Sequence, residues 1–202
     1  LLSRTANKLP SKTAIIDRER HFTYQEIENF SSQLSSSLIS LGIKKGQKVG
    51  ILAPNCAEYV IAFYGIKKAG AVVTTINSGY SEREIAHQIS DSDCEILILH
   101  GSLQKLFLDT ITLRKSPVKT VVIEPEEGAS ISFWDLITNG GEEVSEIPIT
   151  PETDLAALPY SSGTTGLTKG VMISHFNLVR NVQQLLGLTG LAKIVETDIV
   201  LV

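Results

Sequence analysis

Between two apolar runs the chain carries the stretch Leu158-Pro159-Tyr160-Ser161-Ser162-Gly163-Thr164-Thr165-Gly166-Leu167-Thr168-Lys169-Gly170-Val171. Glycines in such a loop let backbone N–H groups approach a ligand closely, because no Cβ stands in the way. Successive N–H groups then form a concavity that binds anions. Serine and threonine hydroxyls can donate to phosphate oxygens or coordinate a hard cation such as Mg²⁺, and Lys169 adds a mobile positive charge. These residue types predict a polyphosphate ligand, such as that of a nucleotide.

The stretch differs from a Walker A loop, in which a glycine is followed after four residues by Gly-Lys-Ser/Thr at the start of a helix. Here the fifth residue after Gly163 is Thr168, and Lys169 is followed by Gly170. Residues 171–173 (Val-Met-Ile) predict a strand, so we expect strand, loop and strand. The alternative is a plain hairpin turn rich in Ser, Thr and Gly. We favour a ligand loop because hairpin turns of about 2–5 residues do not need so long a run.

The rest of the chain alternates strand and helix patterns with short breaks, which predicts an α/β fold with a mainly parallel sheet and flanking helices. The expected strands are Ala14–Asp17 and His21–Thr23 as a hairpin, then Lys48–Ala53, Ala71–Ile76, Glu95–Leu99, Val118–Ile123 and Asp198–Val202. The expected helices follow Thr23, span Cys56–Ala69, follow Ser81, and span Leu103–Leu113 and Leu178–Leu186. Capping boxes at Thr23–Glu26 and Ser81–Glu84 begin two of them, and Gly42 and Gly70 end two. The apolar residues of the last helix are expected to pack against the rest of the protein: Leu178, Val182, Leu185 and Leu186.

Composition excludes several classes of protein. The 202 residues are 43% hydrophobic and 20% charged, as in globular proteins. A net charge of −4 argues against a nucleic-acid partner, and no apolar run is long enough to span a membrane. Cys56 and Cys94 form no disulfide framework or metal motif and are expected to pack as small hydrophobes in a reducing compartment.

The loop motif Tyr-Ser-Ser-Gly-Thr-Thr-Gly-Leu-x-Lys-Gly-Val, residues 160–171, resembles the phosphate-loop signature of the adenylate-forming superfamily. That superfamily comprises acyl-CoA synthetases, luciferases and peptide-synthetase adenylation domains. One departure is Thr168, where the family usually has proline, whose ring would stiffen the loop. Two scaffold motifs add to the resemblance: Phe22–Ile27, and Lys68–Val73 with Asn77, although Ser78 stands where proline is common.

The resemblance implies an enzyme that uses ATP, Mg²⁺ and CoA: a carboxylic acid attacks the α-phosphorus of ATP, pyrophosphate leaves, and the acyl group passes to the thiol of CoA. By position in the motif, Ser161, Ser162, Gly163, Thr164, Thr165 and Gly166 would bind the nucleotide phosphates. Lys169 would be the catalytic residue that neutralises the departing pyrophosphate, and Thr164 or Thr165 would lie near Mg²⁺. His175 is expected at a helix start, with a role toward the nucleotide as the alternative.

The resemblance also implies that residues 1–202 are the N-terminal portion of an AMP-binding (adenylation) domain, cut within the domain and inactive alone. Residues 124–153 would be an acidic, solvated connector around a short helix containing Trp134. The motif style favours an acyl-CoA synthetase, either of the 4-coumarate–CoA ligase type or for medium- and long-chain acids, over a peptide-synthetase domain. The expected compartment is the cytoplasm or the peroxisome. The alternatives are a non-catalytic nucleotide-binding or interaction module and, among enzymes, luciferase-type or peptide-synthetase adenylation. The sequence does not indicate an oligomeric state.

Overall fold

The computed structural model describes residues 1–112, 118–125, 131–140, 147–161 and 168–187. The helices are α1 (Leu2–Lys8), α2 (Tyr24–Ser40), α3 (Ala57–Lys68), α4 (Glu82–Asp91), α5 (Gln104–Ile111), α6 (Phe133–Thr138) and α7 (His175–Gly187). The strands are β1 (Thr13–Asp17), β2 (Arg20–Thr23), β3 (Lys48–Leu52), β4 (Val72–Ile76), β5 (Cys94–His100), β6 (Lys119–Ile123), β7 (Ile131–Ser132), β8 (Leu155–Ala157), β9 (Tyr160–Ser161), β10 (Lys169–Gly170) and β11 (Ile173–Ser174).

A seven-stranded sheet organises the described part of the chain, with strand order β11-β8-β4-β3-β5-β6-β7. All neighbouring pairs from β8 to β7 are parallel, and only β11 joins antiparallel, at the edge beside β8. The N-terminal strands β1 and β2 form the predicted antiparallel hairpin. The α/β fold with a mainly parallel sheet is therefore confirmed.

Helices cover both faces of the sheet. Since consecutive strand residues point to opposite sides, a central strand contributes side chains to both of the cores under these helices. On β3, Val49 and Ile51 belong to the core under α2 and α3, whereas Leu52 belongs to the core under α4 and α5. All three side chains are fully buried. Strands buried on both faces are typical of parallel sheets.

The predicted helix ends are confirmed in detail. The Thr23 N–H donates to Glu26 Oε2 over 2.7 Å, and the Glu26 N–H donates back to Thr23 Oγ1 over 3.2 Å. The same reciprocal capping box forms between Ser81 and Glu84 at the start of α4. Past the end of α2, Gly42 has a φ of 100°, a conformation that glycine adopts without the steric cost of a Cβ.

The acidic segment 124–153 contributes to the core over its described residues. Strand β7 pairs with β6, and the predicted short helix around Trp134 is present as α6. Within α6, Phe133 is fully buried and the Leu136 carbonyl accepts a hydrogen bond of 2.6 Å from Ser37 Oγ. Much of the acidic sequence lies at 126–130 and 141–146, outside the described residues.

Two predictions for residues 171–186 are wrong. Val171 and Met172 belong to no strand and connect β10 to β11, and Met172 is 71% exposed there. The Val171 N–H still donates to the Pro159 carbonyl over 2.8 Å. The apolar residues expected to pack along α7 are not all buried, since Val182 and Leu185 are exposed. The strand predicted at 198–202 lies outside the described residues.

No helix in the described residues combines the length and apolar character needed to cross a membrane. Cys94 is buried and Cys56 is half-buried, and neither is in a disulfide. Burial raises the pKa of the Cys56 thiol to about 11, so this cysteine stays protonated at neutral pH.

Candidate functional site

The base of the predicted ligand loop is a short antiparallel hairpin. Strands β9 and β10 pair with Ser161 opposite Lys169 and with Tyr160 opposite Gly170. A strand therefore precedes and follows the loop, but the second one is β10 at Lys169–Gly170 and not the predicted segment 171–173. Of the predicted site residues the structure describes Ser161 and Lys169, whereas Ser162, Gly163, Thr164, Thr165 and Gly166 lie outside the described residues.

Ser161 and Lys169 lie at the exposed end of the described hairpin. Both residues are exposed, and they face each other across the last described pair of the hairpin. The Lys169 ammonium makes no hydrogen bond or ion pair to another residue that the structure describes. An uncommitted ammonium beside a serine hydroxyl is suited to binding phosphate oxygens.

Gly170 allows the hairpin to pack closely. A Cβ at this position would lie 3.1 Å from Leu158 Cδ1 and 3.2 Å from Tyr160 Cε2, which is tighter than nearly all real Cβ contacts. A larger residue would therefore displace Tyr160, its own partner in the ladder. The glycine after Lys169 has a packing role in this fold as well as a place in the motif.

The hairpin is joined to the carboxyl end of the parallel sheet. The Leu158 N–H donates to the Val73 carbonyl over 2.8 Å, which extends the pairing of β8 with β4 by one residue. The buried hydroxyl of Thr74 then donates to the Leu158 carbonyl over 3.0 Å. These bonds place the base of the hairpin beside the carboxyl ends of β4 and β3, where parallel α/β sheets bind ligands.

A cleft of about 650 Å³ opens at this edge of the sheet, next to the hairpin. Its walls come from the segments that follow β3 and β4, the first turn of α3 and the hairpin itself. The lining residues are Ala53, Pro54, Asn55, Tyr59, Thr75, Ile76, Asn77, Ser78, Tyr80 and Tyr160. Tyr160 is the shared wall, because it lines the cleft and immediately precedes Ser161.

The described lining of the cleft is neutral and rich in hydrogen-bonding groups. Burial raises the pKa of Tyr59, and burial together with a hydrogen bond to Asp91 raises the pKa of Tyr160. These phenols stay protonated at neutral pH and act as hydrogen-bond donors rather than bases. No described lining residue is charged, whereas Lys169 of the adjoining hairpin carries a positive charge.

His175 lies at a helix start, as the sequence predicts. It is the first residue of α7, whose N-terminus is closed by Ser174: the Asn177 N–H donates to Ser174 Oγ over 3.2 Å. Burial, followed by the nearby charge of Lys67, lowers the pKa of His175. His175 does not line the cleft, because the pairing of β11 with β8 puts it beside the beginning of β8.

Sequence reasoning missed most of the cleft. Asn77 was interpreted as scaffold, and Tyr59 and Tyr80 were not singled out. A signal was available, because the predicted strands end at Ala53 and Ile76, and ligands bind beyond the carboxyl ends of parallel strands.

A family model described as AMP-binding enzyme matches residues 2–202. The chain belongs to this family. It is 35% identical over 176 residues to 4-coumarate–CoA ligase 2 of Solanum tuberosum, which covers 86% of this chain and 32% of that protein. It is 29% identical over 211 residues to the long-chain-fatty-acid–CoA ligase of Bacillus subtilis (strain 168), covering 91% of this chain and 37% of that protein.

Solved structures of this family share the fold. The anthranilate CoA ligase AuaEII in complex with anthranoyl-AMP matches with a TM-score of 0.84 and 30% identity, over 93% of this chain and 36% of that one. A long-chain-fatty-acid-CoA ligase from Archaeoglobus fulgidus matches with a TM-score of 0.84 and 32% identity, over 95% of this chain and 39% of that one. The resemblance deduced from the loop is thus confirmed, and the chain spans about a third of the length of the relatives it matches.

Proposed function

We propose that the protein carrying this chain activates a carboxylic acid with ATP, releasing pyrophosphate, and transfers the acyl group from the acyl-adenylate to CoA. The observation that carries the proposal is the hairpin base, where Ser161 and Lys169 face each other beside the cleft. The sequence between them, 162–168, holds the glycines and hydroxyls of an anion-binding loop. The matched AMP-binding family supports the same reaction.

The residue roles in this proposal follow from charge and position. Ser161, with Ser162, Gly163, Thr164, Thr165 and Gly166, would bind the phosphates, and Thr164 or Thr165 would lie near Mg²⁺. Lys169 would stabilise the negative charge that accumulates on the departing pyrophosphate. A preorganised positive charge at this point lowers the barrier because it acts where charge develops. Its exposed ammonium, which has no partner among the described residues, fits that role.

For the substrate we propose an aromatic acid of the 4-coumarate type, with fatty acids as the second class to test. Several of the similar relatives are named 4-coumarate–CoA ligases, at 34–37% identity. Residues 1–202 would form the N-terminal portion of the adenylation domain, with the rest of the acid and adenine pockets supplied by other parts of the protein. We propose a cytoplasmic or peroxisomal location for it.

The test is carboxylate-dependent exchange of pyrophosphate into ATP, followed by thioester formation, with a panel of aryl and alkyl acids. In the protein that carries this chain, Lys169→Ala should lower kcat for adenylate formation about 10²–10³-fold, the cost of removing one preorganised stabilising group. The matched control is Lys44→Ala, because Lys44 is an exposed lysine in the turn before β3. It lies at the amino end of that strand, whereas the cleft lies at the carboxyl end.

Equal activity of Lys169→Ala and Lys44→Ala would remove the role assigned to Lys169. If the wild-type protein binds ATP but shows no pyrophosphate exchange with any acid of the panel, a non-catalytic nucleotide-binding module is favoured instead. Light emission from an adenylate would point to luciferase-type chemistry.

A further inference from the structure

Helix α4 contacts both sides of the β9–β10 hairpin. On one side the Tyr160 O–H donates to Asp91 Oδ2 over 2.6 Å. On the other, His87 Nε2 lies 3.0 Å from the carbonyl oxygen of Thr168. His87 and Asp91 are four residues apart and therefore lie on the same face of the helix, so one helical turn holds the residues on either side of the Ser161–Lys169 pair.

The His87 contact has a defined donor. A carbonyl oxygen can only accept a hydrogen bond, so Nε2 must carry the proton. The His87 ring also packs edge-on against the ring of Tyr160, with centroids 6.4 Å apart and an interplanar angle of 86°. His87 thus contacts both sides of the hairpin, through its N–H on one side and its ring on the other.

A third residue of α4 fixes the helix to the sheet beneath. Gln88 is fully buried and its Nε2 donates to Thr74 Oγ1 and to the Thr75 carbonyl, each over 2.9 Å. Thr74 in turn donates to the Leu158 carbonyl, just before the hairpin. Helix α4 is therefore fixed to β4, the same strand that bonds the residue just before the hairpin, and it can act as a rigid support.

We propose that His87 and Asp91 are positioning residues, which hold Thr168 and Tyr160 at the base of the hairpin and so set the placement of Lys169 relative to Ser161. The proposal rests on the proposed function for its catalytic consequence. Thr168 stands where the resembling motif has proline, so its φ is not restrained by a ring. The hydrogen bond from His87 restrains the same residue through its carbonyl group.

The experiment compares three variants of the protein that carries this chain. His87→Phe keeps a ring against Tyr160 and loses the N–H donor, whereas His87→Gln keeps an N–H donor of similar reach. His21→Phe is the matched control, since His21 is an exposed histidine on β2. Two readouts are taken on each: hydrogen exchange of peptides covering 158–172, and steady-state kinetics of adenylate formation with ATP varied and then the acid varied.

For His87→Phe we expect exchange in 158–172 to rise at least tenfold with exchange in α2 and α3 unchanged. We expect kcat/KM for ATP to fall about tenfold or more, since small misplacements of a catalytic group are costly, while KM for the acid stays within twofold. His87→Gln should restore both readouts to within a factor of about three, and His21→Phe should match wild type. Tyr160→Phe, which loses only the bond to Asp91, should raise exchange on the same peptides and serves if His87→Phe does not fold.

Unchanged exchange in His87→Phe, or raised exchange with unchanged ATP kinetics in an active enzyme, overturns the proposal. The proposal is also overturned if His87→Gln, which keeps an N–H donor, does not restore hydrogen exchange and kcat/KM for ATP. If wild-type protein forms no adenylate with any acid, the proposed function fails, and the exchange comparison alone then decides whether His87 holds the hairpin.

Discussion

The guanidinium of Arg20 lies 2.6 Å from the carboxylate of Glu58, which is 1% exposed. Arg20 is the first residue of β2, and its side chain extends from the β1–β2 hairpin to Glu58. A second nitrogen of the same guanidinium bonds Asp17 on the neighbouring strand. Trp134 Nε1 of α6 also donates to Glu58 Oε1, over 3.2 Å. Glu58 therefore ties the N-terminal hairpin and α6 to the first turn of α3, directly behind the cleft residue Tyr59.

Removing either partner of the Arg20–Glu58 pair should lower the free energy of unfolding, by a different amount for each partner. Arg20→Met leaves a buried carboxylate without its cation and should lower the free energy of unfolding by about 2 kcal/mol, less than for a fully buried pair because the Arg20 side chain is 42% exposed. Glu58→Gln keeps an acceptor for Trp134 and should cost about 1 kcal/mol. Urea unfolding of both single variants and of the double variant measures this. A double variant that loses the full sum of the two would contradict a direct coupling.

Gly65 lets α3 pack closely against α2. A Cβ at Gly65 would lie 2.8 Å from Leu34 Cδ2 and 3.1 Å from Leu34 Cβ. Helix propensity alone favours alanine over glycine by about 1 kcal/mol, but overpacking a filled core costs about 1–3 kcal/mol. We therefore expect Gly65→Ala to be destabilising, by equilibrium unfolding, and to cost less in a Leu34→Ala background. A stabilised Gly65→Ala variant would show that the helices can separate at no cost.

The fold was predictable from sequence where local chemistry determines it. Thr23 and Ser81 begin helices because a glutamate three residues on completes a capping box, and Gly42 ends one because it takes a positive φ. Strand β7 was not predictable, since two residues carry no periodicity and their pairing depends on β6. The exposed path of Met172 was missed for a related reason: an apolar triplet predicts a strand equally well whether or not a neighbouring strand is available.

The candidate site was only partly predictable, and the roles that the motif gives its residues stay predictions. The motif identified Ser161 and Lys169, and the structure pairs them. The contacts of His87 and Asp91 were not predictable from sequence. These residues lie 81 and 69 positions before their partners Thr168 and Tyr160, and they reach the hairpin through the packing of α4 on the sheet.

Lys67 and Lys68 are adjacent in sequence but have opposite environments. Lys67 is half-buried with its ammonium 3.9 Å from the centroid of the Phe63 ring, and burial lowers its pKa to about 8. Lys68 bonds Glu28 Oε1 over 2.6 Å and Ser32 Oγ over 2.8 Å. The charge on Lys67 therefore opposes folding, whereas the charge on Lys68 is paired.

The lowered pKa of Lys67 determines whether its contribution to folding stability rises or falls with pH. Below pH 8 the lysine is charged in both states and the cost of burying the charge is fully present. Between pH 8 and its ordinary pKa of 10.5 the unfolded chain binds more protons, so this contribution to stability rises with pH. At pH 7, Lys67→Met should raise the free energy of unfolding by about 2 kcal/mol, and the advantage should disappear by pH 10.5.

Lys68→Met is the matched control and should lower stability by about 1 kcal/mol, because it leaves the Glu28 carboxylate unpaired. Urea unfolding of the three proteins at intervals from pH 7 to pH 10.5 separates the two lysines, and any alkaline effect of Cys56 is common to all of them and cancels. The pKa of His175, followed by NMR of its ring protons, should rise in Lys67→Met because a nearby positive charge is removed. A destabilised Lys67→Met variant at pH 7 would mean instead that the contact with the Phe63 ring outweighs the cost of burying the ammonium.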